Sequence, residues 1–263
     1  MKRARGRFLD VYAMLAIGYM LLPIAVVIAF SFNDPAGRFN YTWQGFTLDN
    51  WRNWDGVPGL TGAMSLSLQI AALSSLVATT LGTLIALALV RYGFRGRGAT
   101  NLLIFLPMAT PEIVLGASLL TLFINVNIFL GFTTILIAHI MFCISYVVVT
   151  VKARLIGFDR SLEEAAMDLG ANEWTTFRKV TLPLIAPAVL AGALLCFALS
   201  VDDFVITYFN SGSEITFPLF VWGAARVGAP PQVNVMGTVI VVVAISLMTV
   251  NILLQRRREA RPA

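Results

Sequence analysis

Charged residues are scarce in this chain. Asp, Glu, Lys and Arg make up 13% of its 263 residues, whereas an average soluble domain carries about 25%. Hydrophobic residues make up 58%, and the mean hydropathy is +0.80. These values exclude an ordinary soluble domain and predict an integral membrane protein.

Residues that build catalytic and metal sites are also few. His139 is the only histidine, and Cys143 and Cys196 both lie inside apolar runs. A disulfide framework, a CxxC metal site and Ser/His catalysis are therefore not supported, and no metal or cofactor is expected in this chain. We expect His139 to be a hydrogen-bonded helix-packing residue rather than a proton relay. The sequence also has no Gly-x-x-x-x-Gly-Lys-Ser/Thr motif, so it is not an ATP-driven motor by itself.

Long apolar runs dominate what is present, and six of them predict six transmembrane helices. Each is long enough to cross about 30 Å of hydrocarbon at about 1.5 Å per residue. The predicted spans are 10–31, 64–90, 100–124, 129–151, 184–207 and 233–255. The first is too long for a signal peptide and has no small-x-small cleavage site, so we interpret it as a retained helix. The expected fold is all-α, with residues 1–263 forming a single membrane domain.

Basic residues predict the orientation of these spans. Of the 19 Lys and Arg, 16 lie at the two termini and in the segments 91–99 and 152–183. The other three are Arg38, Arg52 and Arg226. Because cytoplasmic loops are enriched in Lys and Arg, both termini are predicted to be cytoplasmic. The net charge of +5 is thus explained by the membrane topology and not by binding to nucleic acid. Arg256, Arg257 and Arg258 are interpreted as an anchor at the lipid headgroups.

Two outer loops are expected to be ordered. Residues 32–63 contain three tryptophans and several glycines, which is typical of a folded loop on the outer membrane interface. Residues 208–232 contain three prolines around an apolar segment. That pattern is compatible with a segment that re-enters the membrane or with a cover over the mouth of a cavity.

One polar segment, residues 159–183, lies between two apolar runs, and we call it the elbow. Ser161, followed three residues later by Glu164, predicts a capping box and a helix from Leu162. Gly170 is placed to end that helix in a left-handed turn. Asn172 is then predicted to cap a second short helix, in which Trp174, Phe177 and Val180 share one side.

The elbow resembles the EAA loop of ABC-importer permeases. The matching residues are Glu164, Ala165, Ala166, Gly170, Leu182 and Pro183, with Val180 where the family has Ile. The resemblance implies a coupling helix that docks in a groove of a cytoplasmic ATPase. The alternative is that Glu164 only caps a helix and Gly170 only ends it, and both interpretations are compatible because a docking element must itself be well formed.

Ionisable residues within the apolar runs are candidate functional groups. Glu112 lies about 18 Å along the third span, and Asp202 and Asp203 lie about 28 Å along the fifth. A passing cation would offset the repulsion and desolvation of two adjacent acids. Neighbouring residues on a helix point about 100° apart, so one acid can face the pathway while the other makes a structural contact. Phe204 and Tyr208, four residues apart, can offer ring faces to an ammonium group.

Each of these groups also has a structural interpretation. Glu112 can be a protonated carboxyl bonded to a backbone carbonyl that a proline has freed. Asp202 and Asp203 can mark the solvent-exposed outer end of the span, with Phe204 and Tyr208 in the aromatic belt at the membrane interface.

Further motifs are similar to the spermidine/putrescine branch of the binding-protein-dependent (MetI-like) permease family. They are Phe30-Ser31-Phe32-Asn33, Trp51, Pro111-Glu112-Ile113-Val114, Leu199-Ser200-Val201-Asp202-Asp203 and Pro231-Gln232-Val233-Asn234-Val235-Met236. The resemblance implies that Asp202, Asp203, Glu112 and Trp51 take part in substrate passage, although members often have Asp where this chain has Glu112. Related permeases carry other amino compounds, including opine-like ones and aminophosphonates, and these remain alternatives.

The resemblance also implies an assembly in the bacterial inner membrane. It comprises a second, usually different, permease chain, two ATPases that bind ATP and Mg²⁺, and an extracytoplasmic binding protein. Two other classes of protein are less compatible with the sequence. A passive cation channel or ion-coupled carrier leaves the shape of the elbow unexplained. An intramembrane aspartyl protease needs acids that meet across helices and a Gly-x-Gly-Asp motif, which the sequence lacks.

Overall fold

The computed structural model describes residues 2–37 and 39–259, with side chains described for 9–37, 39–246 and 249. Over these residues the chain is helical, apart from loops and one isolated antiparallel bridge between Asn33 and Phe46. The helices are α1 (Lys2–Phe30), α2 (Asp49–Arg52), α3 (Leu60–Arg91), α4 (Arg97–Ala109), α5 (Glu112–Asn125), α6 (Phe132–Ile156), α7 (Ser161–Asp168), α8 (Glu173–Thr176), α9 (Leu182–Asp202), α10 (Val205–Asn210), α11 (Phe217–Val227) and α12 (Pro231–Glu259). A π-helical turn, Phe177–Thr181, joins α8 to α9. The predicted all-α class is confirmed.

Four segments of the described residues are long and apolar enough to cross a membrane. They are Leu9–Phe30, Leu60–Arg91, Phe132–Ile156 and Glu173–Asp202, and they correspond to the first, second, fourth and fifth predicted spans. None of the apolar window in Leu9–Phe30 is buried within the chain. An apolar helix without a fully buried side chain in this window is expected to contact lipid.

The predicted third span is not one continuous helix. It is divided into α4 and α5, whose axes differ by 110°. Thr110 at the break is extended, with ψ of 134°, because a residue before proline is disfavoured in the helical region. Pro111 also lacks the N–H needed to continue the helical ladder. The predicted span over 100–124 is therefore broken at Thr110, and the distance of about 18 Å given for Glu112, which assumed a continuous helix, does not apply.

The predicted sixth span lies within α12. The apolar part of this helix with described side chains is Pro231–Ser246, which is shorter than a full crossing. The side chains of Arg256, Arg257 and Arg258 and the whole of Arg38 lie outside the described residues. Four spans, or five if α4 and α5 together form one, are observed in the described part of the chain, and the count of six remains a prediction.

The first of two compact units contains residues 1–61 and 221–263. In it, α1 packs against α12, and a Cβ on Gly237 would lie 3.4 Å from Cγ1 of Val27. The loop after α1 is folded around Asn33, which is fully buried. Its side-chain amide donates to Asn40 Oδ1 and to the carbonyl of Thr42, and its Oδ1 accepts from the N–H of Gln44. The expectation of an ordered outer loop is thus met in its local structure.

The second unit contains residues 62–220 and is built around α6. This helix packs most extensively against α9 and also contacts α4 and α10, while α5 packs against α10. Val147 on α6 lies between two glycines. A Cβ on Gly82 of α3 would lie 2.7 Å from Val147 Cβ, and one on Gly192 of α9 would lie 3.5 Å from Val147 Cα. Small residues of this kind allow membrane helices to approach closely.

The segment after α10 contains α11, a helix that the sequence pattern did not predict. At its first residue, the backbone N–H of Phe217 donates to the hydroxyl of Ser67 at 2.8 Å. Gly212 has a φ of +58°, and a Cβ there would lie 2.7 Å from the carbonyl oxygen of Leu130. Glycine is required at this turn because of both the conformation and the close approach.

Candidate functional site

The elbow begins with a cap that the sequence pattern assigned to the wrong residue. Helix α7 starts at Ser161, one residue earlier than predicted, and Ser161 is not its N-cap. Asp159 Oδ1 instead accepts the backbone N–H of Ser161 at 3.0 Å. The backbone and side-chain hydrogen bonds of Ser161 lower the pKa of the Asp159 carboxyl from its usual value. The predicted capping box is therefore wrong, and an aspartate two residues earlier supplies the cap.

The end of α7 is as predicted. Gly170 has a φ of +87°, in the left-handed region. Its N–H donates to the carbonyl of Met167 at 2.9 Å, and the N–H of Ala171 donates to the carbonyl of Ala166 at 3.1 Å. These two bonds form a Schellman motif, which satisfies carbonyl groups at the helix end. Gly170 thus ends α7 and reverses the chain.

The second half of the elbow also follows the sequence pattern, with one addition. Asn172 Oδ1 accepts the N–H of Thr175 at 2.8 Å, as a capping residue does. The rings of Trp174 and Phe177 lie 5.8 Å apart, which confirms that these two side chains share a side. The π-helical turn Phe177–Thr181 that follows was not predicted. It leads directly into α9, which has Pro183 in its first turn.

Most of the residues predicted to couple the elbow to a partner are on its surface. Glu164, Ala165, Gly170, Leu182 and Pro183 are exposed, and Ala166 is half-buried. Large apolar side chains are exposed beside them: Leu162 by 48%, Met167 by 44%, Leu169 by 90% and Trp174 by 68%. No residue of α7 is fully buried within this chain. The elbow therefore presents an apolar face that this chain, over its described residues, does not cover.

Glu163, which was not predicted as a site residue, joins the elbow to the end of α3 within the second unit. Its carboxylate accepts hydrogen bonds from Arg91 at the end of α3 and from the hydroxyl of Thr181. Arg91 Nη2 also lies 3.1 Å from Thr181 Oγ1. The side chains of Arg91 and Glu163 are 23% and 12% exposed. Sequence alone does not distinguish Glu163 from the neighbouring Glu164, because the partner arginine is far away along the chain.

Two cavities adjoin this ion pair, with volumes of about 160 Å³ and 180 Å³. Both are lined by Arg91, Tyr92, Glu163 and Met167. They lie at the elbow and not at the acidic residues Asp202 and Asp203.

Asp202 and Asp203 lie at a break in the chain and not within one helix. Helix α9 ends at Asp202, and Asp203 follows in an extended conformation with φ of −63° and ψ of 121°. Helix α10 begins two residues later, at Val205. The predicted continuous span over 184–207 is thus wrong at its outer end. Asp202 is exposed, whereas the side chain of Asp203 is only 6% exposed.

Asp203 is fully engaged in hydrogen bonds. Its Oδ1 accepts the N–H of Ile206 at 3.3 Å, and its Oδ2 accepts the N–H and the hydroxyl of Thr207, both at 2.8 Å. Oδ2 also lies 3.3 Å from Nε2 of His139, which is 1% exposed. His139 in turn contacts Ser200 Oγ at 2.7 Å through Nδ1 and Thr207 Oγ1 at 2.9 Å through Nε2. His139 is therefore a buried, hydrogen-bonded packing residue, as expected.

The other predicted pathway residues are distributed over both units. Glu112 is exposed at the first position of α5 and makes no hydrogen bond or ion pair within the described residues. Phe204 and Tyr208 have their ring centroids 5.6 Å apart, and Tyr208 is 58% exposed. In the first unit, the ring of Trp51 stacks on Phe32 at 5.4 Å, and its Nε1–H donates to Ser31 Oγ at 3.2 Å. Trp51 thus has a packing role in its loop.

Cys143 and Cys196 are free and fully buried. Each thiol donates to the backbone carbonyl of the other residue, at 3.7 and 3.4 Å. Among the described residues, no group of three or more His, Cys, Asp or Glu side chains is arranged to hold a metal ion.

Comparison with known proteins agrees with this architecture. The chain is 42% identical over 253 residues to the spermidine/putrescine transport system permease protein PotC of Escherichia coli K12, covering 95% of both chains. It is 38% identical over 242 residues to the putrescine transport system permease protein PotI of the same strain, covering 88% of this chain and 84% of the relative.

Solved structures with a similar fold include a bacterial ABC transporter that imports the acidic polysaccharide alginate. The match has a TM-score of 0.66 and 19% identity and covers 95% of both chains. The inward-facing MetNI methionine transporter matches with a TM-score of 0.56 and 16% identity, over 78% of this chain and 100% of that chain. Residues 78–262 match the family described as the binding-protein-dependent transport system inner membrane component. This chain belongs to that family of inner-membrane permeases.

Proposed function

We propose that this chain forms half of the translocation pathway of an ATP-driven importer for polyamines such as spermidine and putrescine. The observation that carries the substrate class is the identity of 42% and 38%, over nearly the whole chain, to permeases named for spermidine/putrescine and putrescine. The alternative substrates are other amino compounds, such as opine-like molecules and aminophosphonates.

The acidic residues support a cationic substrate. Asp202 and Glu112 are exposed carboxylates within or beside apolar helices, where an uncompensated charge is unfavourable. An ammonium group would supply the counter-charge. The neighbouring rings of Phe204 and Tyr208, with Tyr208 exposed, can bind the same cation through their faces. No covalent chemistry is required of any of these groups.

The elbow supports coupling to an ATPase. Its exposed apolar side chains require cover by a partner, and the exposed residues Glu164, Gly170, Leu182 and Pro183 border them. With both termini and the elbow in the cytoplasm, that partner would be one of two ATPases, which bind ATP and Mg²⁺ themselves. Closure of the ATPases would move the elbows of this chain and a second, different permease chain together. The cavity would then open outward to a substrate-loaded binding protein, and hydrolysis would reset it.

Reconstitution of the complete transporter in proteoliposomes tests this function. We expect uptake of labelled putrescine or spermidine that requires ATP, the ATPases and the binding protein. Uptake by this chain without the ATPases would instead indicate a channel or carrier. Uptake of an aminophosphonate or an opine-like compound that polyamines do not inhibit would contradict the polyamine assignment and leave the ATP-driven mechanism intact.

A further inference from the structure

The buried contacts around His139 give the two adjacent acids different roles. We propose that Asp203 is a positioning residue, which fixes the break between α9 and α10, and that Asp202 alone of the two faces the transported cation. The role of Asp202 rests on the proposed function. The role of Asp203 rests on the geometry of the buried network.

One arrangement of hydrogen atoms gives every group in this network a partner when His139 is neutral. The hydroxyl of Thr207 donates to Asp203 Oδ2, so its oxygen accepts from His139 Nε2–H. Nδ1 of His139 must then accept from the hydroxyl of Ser200, whose oxygen accepts from Ser74 at 3.1 Å. Every donor points toward Asp203. Because buried polar groups need partners, this chain of hydrogen bonds joins α3, α6, α9 and α10 at one point.

The capacity of Asp203 to accept hydrogen bonds is largely used within the chain. Both oxygens bind backbone N–H groups in the first turn of α10, and Oδ2 also binds the hydroxyl of Thr207. Its side chain is 6% exposed, so a hydrated diamine has little access to it. Asp202, the neighbouring residue, is exposed at the last position of α9.

The position of Asp202 depends on this capped break. Asp203 leaves the helical conformation, and its carboxylate accepts the N–H groups of Ile206 and Thr207 in the first turn of α10. If Asp203 lost its charge or Thr207 lost its hydroxyl, the cap and the contact with His139 would weaken together. The side chain of Asp202 would then no longer be held in a fixed position, although Asp202 itself is unchanged.

Kinetics of the reconstituted transporter separate the two roles. We expect Asp202→Asn to raise the KM for putrescine by about tenfold or more, as the loss of a charge-assisted contact does, with an unchanged melting temperature. Asp203→Asn should lower the melting temperature and Vmax and leave KM within about twofold. If Asp203→Asn raises KM as much as Asp202→Asn without destabilisation, the proposed division of roles is wrong.

A labelling experiment measures the accessibility of the side chain at position 202 and needs no transport. In Asp202→Cys, the new thiol should react with a cationic methanethiosulfonate reagent, whereas the parent chain should not react because Cys143 and Cys196 are fully buried. Adding Thr207→Val should change the labelling rate by about fivefold or more, and Thr207→Ser, which keeps the hydroxyl, should restore it. An unchanged rate in Thr207→Val would overturn the positioning role. Because this readout needs no substrate, it remains valid if the polyamine assignment fails.

Discussion

The ion pair between Arg91 and Glu163 allows a quantitative prediction about the elbow. The change is Arg91→Met, which keeps an unbranched apolar side chain but removes the charge and the hydrogen-bond donors. Glu163 would then be a largely buried carboxylate with only the hydroxyl of Thr181 as partner. An unpaired charge in such a site is costly.

The expected decrease in the free energy of opening the elbow lies between two limits. Exposed ion pairs contribute about 0–1 kcal/mol, whereas breaking a buried pair costs about 3–5 kcal/mol. With side chains that are 23% and 12% exposed, we expect local opening of the elbow to become easier by about 2 kcal/mol. At about 1.4 kcal/mol per factor of ten, this corresponds to a roughly 30-fold higher population of the open elbow.

Amide hydrogen exchange of the purified chain, followed by mass spectrometry of the peptides covering 159–170, measures this opening. Exchange in Arg91→Met should be about 30-fold faster. In the double variant Arg91→Met/Glu163→Met, most of the protection should return, because no unpaired carboxylate remains. Glu164→Gln is the matched control, since Glu164 is the exposed neighbour. Exchange within twofold of the parent in Arg91→Met, or equal acceleration in Glu164→Gln, would refute the reasoning.

Three further predictions concern the elbow and the helix core. Gly170→Val forces a β-branched residue into a left-handed conformation at φ of +87°, at a cost of about 1–2 kcal/mol. It should reduce the amount of substrate transported per ATP hydrolysed, and an unchanged ratio would contradict the coupling role. Gly82→Val should destabilise the chain by about 1–3 kcal/mol, because the added Cβ lies 2.7 Å from Val147 Cβ, and Val147→Ala in the same chain should recover part of the loss in melting temperature. The pKa of Asp159 is lowered in the folded state, so its contribution to stability is present above the usual Asp pKa and is lost as the pH falls through the lowered value. The protection of the elbow amides against exchange, corrected for the intrinsic effect of pH, should therefore fall over this range in the parent chain and not in Asp159→Ala.

Local features of the fold were predictable because they depend on residues close together in sequence. The turn at Gly170 needs only a glycine after a short apolar stripe. The cap at Asn172 needs only an N–H three residues later. The capping prediction at Ser161 was wrong because Asp159, two residues earlier, offers a carboxylate for the same purpose.

The candidate site was only partly predictable, because its contacts join distant parts of the chain. Sequence indicated that Asp202 and Asp203 have different partners, but His139 lies more than sixty residues earlier and identifies the buried one only after folding. The same holds for Glu163, whose partner Arg91 is separated from it by 72 positions. Pro111 explains why the helix is interrupted, but the angle of 110° depends on the tertiary packing of the two helices on either side.

The tight fit of Val147 against Gly82 and Gly192 has a mechanical consequence. Helices held at backbone distance cannot slide or rotate past one another without a clash, so α3, α6 and α9 should move as one block in any transport cycle. Outside this block, bending is favoured where a helical ladder is interrupted, as at Thr110 and at Asp203. Each of these two joints adjoins one of the exposed carboxylates, Glu112 and Asp202, so bending there would change the surroundings of each charge and leave the block itself unchanged.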